Sequence, residues 1–164
     1  MHPTSLFMKK ILFVCLGNIC RSPLAEAIFV HKLKEKDLSH LFKADSCGTA
    51  NYHVGDKPDP RTLQNALSNG VSINHLGRQL HSNDLEEFDL VLAMDESNLQ
   101  NIQRLPNASN HQHKIKLMRS YDADQKENSV PDPYYGTEKD FQRVFEILNH
   151  SIDRLLVELT SDNQ

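Results

Sequence analysis

A basic excess is missing from this chain: 18 Lys and Arg stand against 22 Asp and Glu, a formal net charge of −4. General nucleic-acid binders carry the opposite balance, so no nucleic acid is expected and any anion site must be local. No apolar run approaches the roughly 20 residues of a membrane-spanning helix, and no membrane partner is expected. Met1 to Lys10 lacks a signal-peptide layout, because Lys9 and Lys10 precede only the short run Ile11 to Cys15. Cysteine is scarce and odd in number, at 3 of 164 residues, which argues against a disulfide framework and for free thiols. The expected compartment is the cytoplasm. There is no internal repeat and no low-complexity segment. What remains, 38% apolar and 24% charged residues, is the composition of one soluble globular domain.

The elements alternate. Ile11 to Cys15 reads as a buried strand, and Ser22 to Lys36 as a helix with Pro23 in its first turn. Leu24, Ala27, Ile28, Val30 and Leu33 are its expected buried face. Leu41 to Ser46 reads as a second strand. Residues 47 to 60, rich in Gly, Asp, Asn and Pro, read as a long exposed loop of the kind that carries function. Pro60 to Ser68 reads as a helix stopped by Gly70, Asp89 to Met94 as a third strand, and Glu96 to Arg104 as a helix. Lys114 to Met118 reads as a fourth strand. Glu138 to Leu159 reads as a long helix with a stripe of Phe141, Val144, Phe145, Leu148, Ile152, Leu155, Leu156 and Leu159. The expected organisation is an N-terminal extension over residues 1–8, one domain over 9–160, and a frayed tail over 161–164. Strands separated by helices predict an α/β fold: three layers, with a parallel sheet covered on both faces. Such sheets bind ligands outside the carboxyl ends of their strands, where Cys15 falls.

Cys15, Leu16, Gly17, Asn18, Ile19, Cys20, Arg21 and Ser22 form the segment with chemistry in it. Backbone N–H groups of a loop folded over a helix start can converge on an anion, aided by the helix dipole. Gly17 and Asn18 tolerate the positive φ that a tight concave loop requires. Arg21 offers a planar fork for two phosphate oxygens. A helix N-terminus and a guanidinium together favour thiolate over thiol, which predicts a nucleophile for in-line attack on phosphorus. The Ser22 hydroxyl can donate to that sulfur. Composition alone makes a Cys-then-Arg spacing cheap, and a strand-end cysteine beside a surface arginine is the plain alternative. The context argues against it: a strand before, Gly and Asn inside, Ser-Pro opening a helix after. A nucleoside-triphosphate loop would end in Gly-Lys-Ser/Thr and a dinucleotide loop needs more glycines; neither is here.

A phosphoester leaving group needs a proton. Asp132, in Val130-Pro-Asp-Pro-Tyr-Tyr-Gly136, is the candidate donor, with an Asp-Pro turn as the alternative. His111 and His113 lack an evident third metal ligand and read as a polar loop; no metal or other cofactor is expected.

Leu12-Phe-Val-Cys15-Leu-Gly-Asn-Ile-Cys-Arg-Ser-Pro-Leu-Ala-Glu26 resembles the catalytic loop of the low-molecular-weight protein tyrosine phosphatases. Asp45-Ser46, Gly48-Thr49, Gly55 to Arg61, Ile73-Asn-His-Leu-Gly-Arg-Gln79, Phe88 to Leu99 and Asp132-Pro-Tyr-Tyr-Gly136 are similar to further family segments, in family order. The resemblance implies a four-stranded sheet of flavodoxin-like winding and phosphotyrosine hydrolysis through a cysteinyl-phosphate. It implies Cys15 as nucleophile, Arg21 as phosphate clamp and Asp132 as acid and then base. Asn18, Ser22, Ser46 and His75 would hold the loop, although His75 alone is one of 9 histidines. Asp95 would orient Arg21, or merely cap the helix it opens. Ile19, Tyr52, Tyr134 and Tyr135 would grip the phenyl ring.

Tyr52 stands where many bacterial members carry tryptophan, and Gly77 replaces a common alanine. Cys47 replaces a small residue and reads as packing. Cys20 is either a small filler or, as the resemblance implies, the redox partner of Cys15 in a reversible disulfide. Phosphotyrosine proteins or peptides and inorganic phosphate or other oxyanions are the expected ligands of a monomer or weak dimer. The alternatives are a phosphoarginine phosphatase, whose relatives carry threonine at Ile19, and an arsenate reductase, which needs cysteines beyond Cys47. A non-catalytic phosphotyrosine-binding or redox-sensing module is the third.

Overall fold

A computed structural model of the chain describes residues 8–122 and 128–161. The expected extension and tail therefore lie outside the described residues except at Met8 and Ser161, and Ser161 is the last residue of a helix.

Four strands follow the apolar runs: β1 Lys9–Cys15, β2 Phe42–Gly48, β3 Leu90–Ala93 and β4 Ile115–Leu117. They pair in parallel in the order β2-β1-β3-β4. The chain leaves β1 toward one edge for β2 and then crosses to the other for β3 and β4. The switch point therefore lies at β1, the flavodoxin-like arrangement. Cys15 ends β1 and pairs with Gly48, so both strand ends open on the same rim.

Among the described residues five α-helices flank the sheet: α1 Arg21–Glu35, α2 Pro60–Ser68, α3 Ser82–Glu87, α4 Glu96–Gln103 and α5 Glu138–Ser161. Side chains alternate across β1. Ile11, Phe13 and Cys15 pack into a core with α1 and α5, while Leu12 and Val14 meet Leu85 and Ile102 on the other face. Phe29 is wedged edge-on between Phe13 and Phe42, at centroid distances of 5.7 and 6.2 Å. All eight residues of the expected α5 stripe are buried. Each large apolar side chain so removed from water stabilises the fold by roughly 1.5–3 kcal/mol.

Three expectations need correction. The buried face of α1 is Leu24, Ala25, Ile28, Phe29 and Leu33; Ala27 and Val30 are only half-buried, because the larger Phe29 takes the sheet side. Cys47 and Gly48 belong to β2 and are buried, so the long loop begins at Thr49. The short helix α3 was not foreseen. It is nucleated by a reciprocal cap in which His81 accepts from the Asn83 N–H and Asp84 from the His81 N–H.

Candidate active site

β1 delivers Cys15 to the sheet rim and the chain turns at once into α1. Asn18 takes a left-handed conformation, φ 59°, to make that turn. The start of α1 has no side-chain cap and no acidic residue in its first turn, so its N-terminal charge is left to an external anion. The Cys15 Sγ sits there, 2.9 Å from the Ser22 Oγ and 3.3 Å from the Asn18 N–H that points at it.

Asn18 is the hub of the loop. Its Nδ2 donates to Ser22 Oγ at 2.8 Å and to Ser46 Oγ at 3.1 Å. Its Oδ1 accepts from the Arg78 N–H at 3.0 Å and meets His75 Nε2 at 2.7 Å. Neighbouring Ser22 and three residues from two distant segments, Ser46 and His75 with Arg78, thus fix one strained turn. Behind them Ser46 donates to Glu26 at 2.7 Å, and His75 Nδ1 lies 3.2 Å from the same carboxylate. Glu26, Asp45 and His75 gather their ligand atoms within 4.8 Å, a metal-like triangle. Those atoms are already engaged with one another, with Ser46 and with Arg78.

Arg21 is 3% exposed, and its Nη1 donates to Asp95 at 2.7 Å and to the Val130 carbonyl at 3.0 Å. Burial opposes its charge, but the Cys15 sulfur and the Asp95 carboxylate outweigh burial and hold it above the usual arginine range. Asp95 also caps α4 through the Asn98 N–H, so both of its expected roles coexist. Asp132 Oδ2 lies 3.7 Å from Arg21 Nη2 and its Oδ1 accepts from the Tyr134 N–H, which leaves the carboxyl half-exposed at the cleft mouth.

These groups surround a cleft of about 330 Å³. Its floor is Cys15 to Arg21 without Asn18, and Tyr52, Tyr134, Tyr135 and Asp132 form its walls. Ile19 and Leu16 add apolar surface. Ser22, Ser46, Asn18, His75 and Asp95 stand behind as supports rather than lining. The candidate catalytic, phosphate-binding, supporting and cleft residues therefore gather around one cleft, while Cys47, His111 and His113 lie outside it. Several supports were not foreseen. His53 lines the cleft beside Tyr52. The Asp59 N–H donates to the Ile19 carbonyl, and Asp59 pairs with Arg61, whose guanidinium stacks 5.4 Å from the Tyr134 ring. Val130 holds Arg21 through a carbonyl, which no residue type signals.

All three cysteines are free. Burial pushes the Cys20 thiol up to about 12, against a lowering effect of the Thr62 hydroxyl. Burial also raises the Cys47 thiol well above its ordinary value. Cys47 lies wholly inside, and its carbonyl accepts from Ser22. His111 faces Glu86 across 3.2 Å in a polar turn.

The model of the low molecular weight phosphotyrosine protein phosphatase family matches residues 10–164. The chain is 43% identical over 140 residues to a chicken (Gallus gallus) low molecular weight phosphotyrosine protein phosphatase, covering 85% of this chain and 88% of that one. A protein tyrosine phosphatase from Entamoeba histolytica, crystallised with Hepes in its active site, superposes with a TM-score of 0.89 at 38% identity, covering 95% of this chain and 99% of the other. A Drosophila arginine phosphatase superposes with a TM-score of 0.86 at 35% identity, over 93% and 99% of the two chains.

Proposed function

Since this chain belongs to the low molecular weight phosphotyrosine protein phosphatase family, we propose that it hydrolyses phosphotyrosine in proteins or peptides through a cysteinyl-phosphate. The observation that carries the reading is the Cys15 sulfur at an uncapped helix start, with the Ser22 hydroxyl at 2.9 Å, the Asn18 amide at 3.3 Å and the Arg21 guanidinium beside it. In the first step the Cys15 thiolate attacks phosphorus, the bond to the tyrosyl oxygen breaks, and the Asp132 carboxyl gives that oxygen its proton. In the second, Asp132 takes a proton from water, the water oxygen attacks phosphorus, and the sulfur leaves as thiolate while Ser22 turns its one hydroxyl proton from the Cys47 carbonyl to it. Inorganic phosphate is released. Arg21, fixed by Asp95 and Val130, pairs with two phosphoryl oxygens throughout. Ile19 stands where phosphoarginine phosphatases carry threonine, which favours tyrosine over arginine as the phosphorylated residue, and the rings of Tyr52, Tyr134 and Tyr135 offer a phenyl ring its stacking partners.

No helix among the described residues is long and apolar enough to cross a membrane. The chemistry needs a reduced thiol, which suits the cytoplasm. Selective alkylation tests the nucleophile. Iodoacetate at neutral pH is expected to place one adduct on the chain, at Cys15, because its sulfur faces the cleft at the uncapped helix start, whereas the Cys20 and Cys47 thiols are pushed up and Cys47 lies wholly inside. Inorganic phosphate should slow the reaction. Peptide mapping that finds the adduct on another cysteine, or no protection by phosphate, would remove the reading. Parallel assays on phosphotyrosine and phosphoarginine peptides, with chelator present, separate the two substrate classes.

Cys20 is the proposed redox partner of Cys15. Attack on a Cys15 sulfenic acid needs the Cys20 thiolate, and a thiol at about 12 leaves a thiolate fraction of about 10⁻⁵ at pH 7. The fraction grows as pH rises toward that value. After a brief peroxide pulse, disulfide closure should therefore speed up about tenfold per pH unit between about pH 6 and 9. A flat profile, followed by mass spectrometry, would exclude Cys20 as the attacking thiol in the environment described.

A further inference from the structure

The cleft wall that carries Tyr52 and His53 is not held by burial. Tyr52 is 71% exposed and Val54 58%. Its start is tied to the phosphate loop by Thr49 and Ala50 N–H groups on the Cys15 and Leu16 carbonyls, and its end by Asp59 on the Ile19 carbonyl. Its middle meets the turn at Gly77. The Gly77 N–H donates to the Asp56 carbonyl and the Gly55 N–H to the Gly77 carbonyl, both at 2.8 Å. The approach is so close that a Cβ on residue 77 would lie 2.2 Å from the His53 carbonyl oxygen, a backbone atom that gives way only if the wall loop itself moves. The ring of His53 in turn lies over Gly17 of the phosphate loop, its Cδ2 only 3.2 Å from where a Cβ on residue 17 would stand.

The same turn grips the phosphate loop. One residue after Gly77, the Arg78 N–H holds the Asn18 Oδ1 at 3.0 Å, and the Arg78 carbonyl accepts from Gly48 at the end of β2. Leu80 N–H returns to the Gly48 carbonyl at 2.7 Å. The short segment from His75 to Leu80 is thus a strap with one end on the hub of the anion site and its middle on the wall.

We propose that Gly77 is a specificity-determining position: its missing side chain lets the wall loop dock on the strap, which fixes how far the aryl-binding wall stands from the phosphate loop. Gly77 touches no substrate and is a positioning residue. Any side chain there must push the His53 carbonyl outward and carry Tyr52 away from the ring it faces, while Asn18 keeps its bond to Arg78. The inference rests on the phosphatase reading, and its test separates the two.

Gly77→Ala is assayed against phenyl phosphate and against acetyl phosphate, which offers the same phosphoryl group without a ring. Inhibition by inorganic phosphate reports on the phosphate loop. KM for phenyl phosphate should rise about three- to tenfold, the scale of one lost aromatic contact. The kcat should stay within about twofold, because the cysteinyl-phosphate is unchanged. KM for acetyl phosphate and the inhibition by phosphate should not move. Equal losses on both substrates, weakened phosphate inhibition, or no change at all would overturn the proposal while leaving the phosphatase reading intact. If Gly77→Ala does not fold, Gly55→Ala decides by the same comparison. It leaves residue 77 untouched and meets nothing within 4 Å, but strains the loop at its φ of 85°, and should give the same split at smaller size. A wild type inactive on both substrates would remove the phosphatase reading and the inference with it.

Discussion

Cys15→Ser should leave no measurable turnover of phenyl phosphate, a loss on the order of 10⁴-fold or more. A serine hydroxyl needs a base to become a nucleophile, as in Ser-His arrangements. Among the described residues none is in hydrogen-bond contact with the sulfur, and Asp132 stands at the cleft mouth. The atoms around the sulfur are the Ser22 hydroxyl and the Asn18 N–H, and the Asn18 amide behind them points its own N–H groups at Ser22 and Ser46. His75 spends its Nε2 on Asn18 and Ser46 rather than on residue 15. In the proposed mechanism the helix start and the Arg21 guanidinium act on a thiolate, and an un-ionised hydroxyl gains nothing from them. Phosphate binding should survive, because Arg21 keeps Asp95 and the Val130 carbonyl and the helix start is unchanged. Intact-mass analysis during turnover should trap a phosphoryl adduct on the wild type and none on the variant. An active Cys15→Ser, or a phosphoryl group on another residue, would end the cysteinyl-phosphate mechanism.

How far such a site can be read from residues alone depends on where its parts lie in the chain. Cys15 to Ser22 is contiguous, so its strand-loop-helix context was legible, and the apolar runs of β1 and β3 and the stripe of α5 carried the sheet and its cover. What was not legible was what acts through distance or through backbone. Val130 holds Arg21 from 109 positions away through a carbonyl that any residue owns. His53 owes its place to Gly77, and the closeness of those two segments has no local signature. α3 spans six residues, less than two helical turns and too few to show a repeat, and rests on a cap in which His81 plays the part usually given to serine or aspartate. The face of α1 was misjudged because Leu24, Ala27 and Ile28 satisfy a helical spacing as well as Leu24, Ala25 and Ile28 do; only the sheet, which needs the bulk of Phe29 between Phe13 and Phe42, breaks the tie.

Asp132→Ala should cost on the order of 10²-fold or more in the rate of phenyl phosphate cleavage, the usual size of a missing general acid. The size of the loss should depend on what leaves. Phenol and tyrosine ionise only near pH 10, so their oxygen departs poorly as an anion and needs the proton. A nitrophenol is far more acidic and departs unaided, so para-nitrophenyl phosphate should lose much less in the first step. The second step then becomes the slow one, because Asp132 is also the base for the incoming water. The variant should therefore release a burst of nitrophenol equal to the enzyme and accumulate the phosphoryl adduct. In the proposed mechanism one residue can serve both steps: one carboxyl oxygen is anchored by the Tyr134 N–H, the other stands at the cleft mouth, and an entering water must approach phosphorus from the side the leaving oxygen vacated. An equal loss for both leaving groups, with no burst, would show that Asp132 moves no proton. Its 3.7 Å approach to Arg21 would then be its whole contribution, as one more carboxylate steadying the clamp.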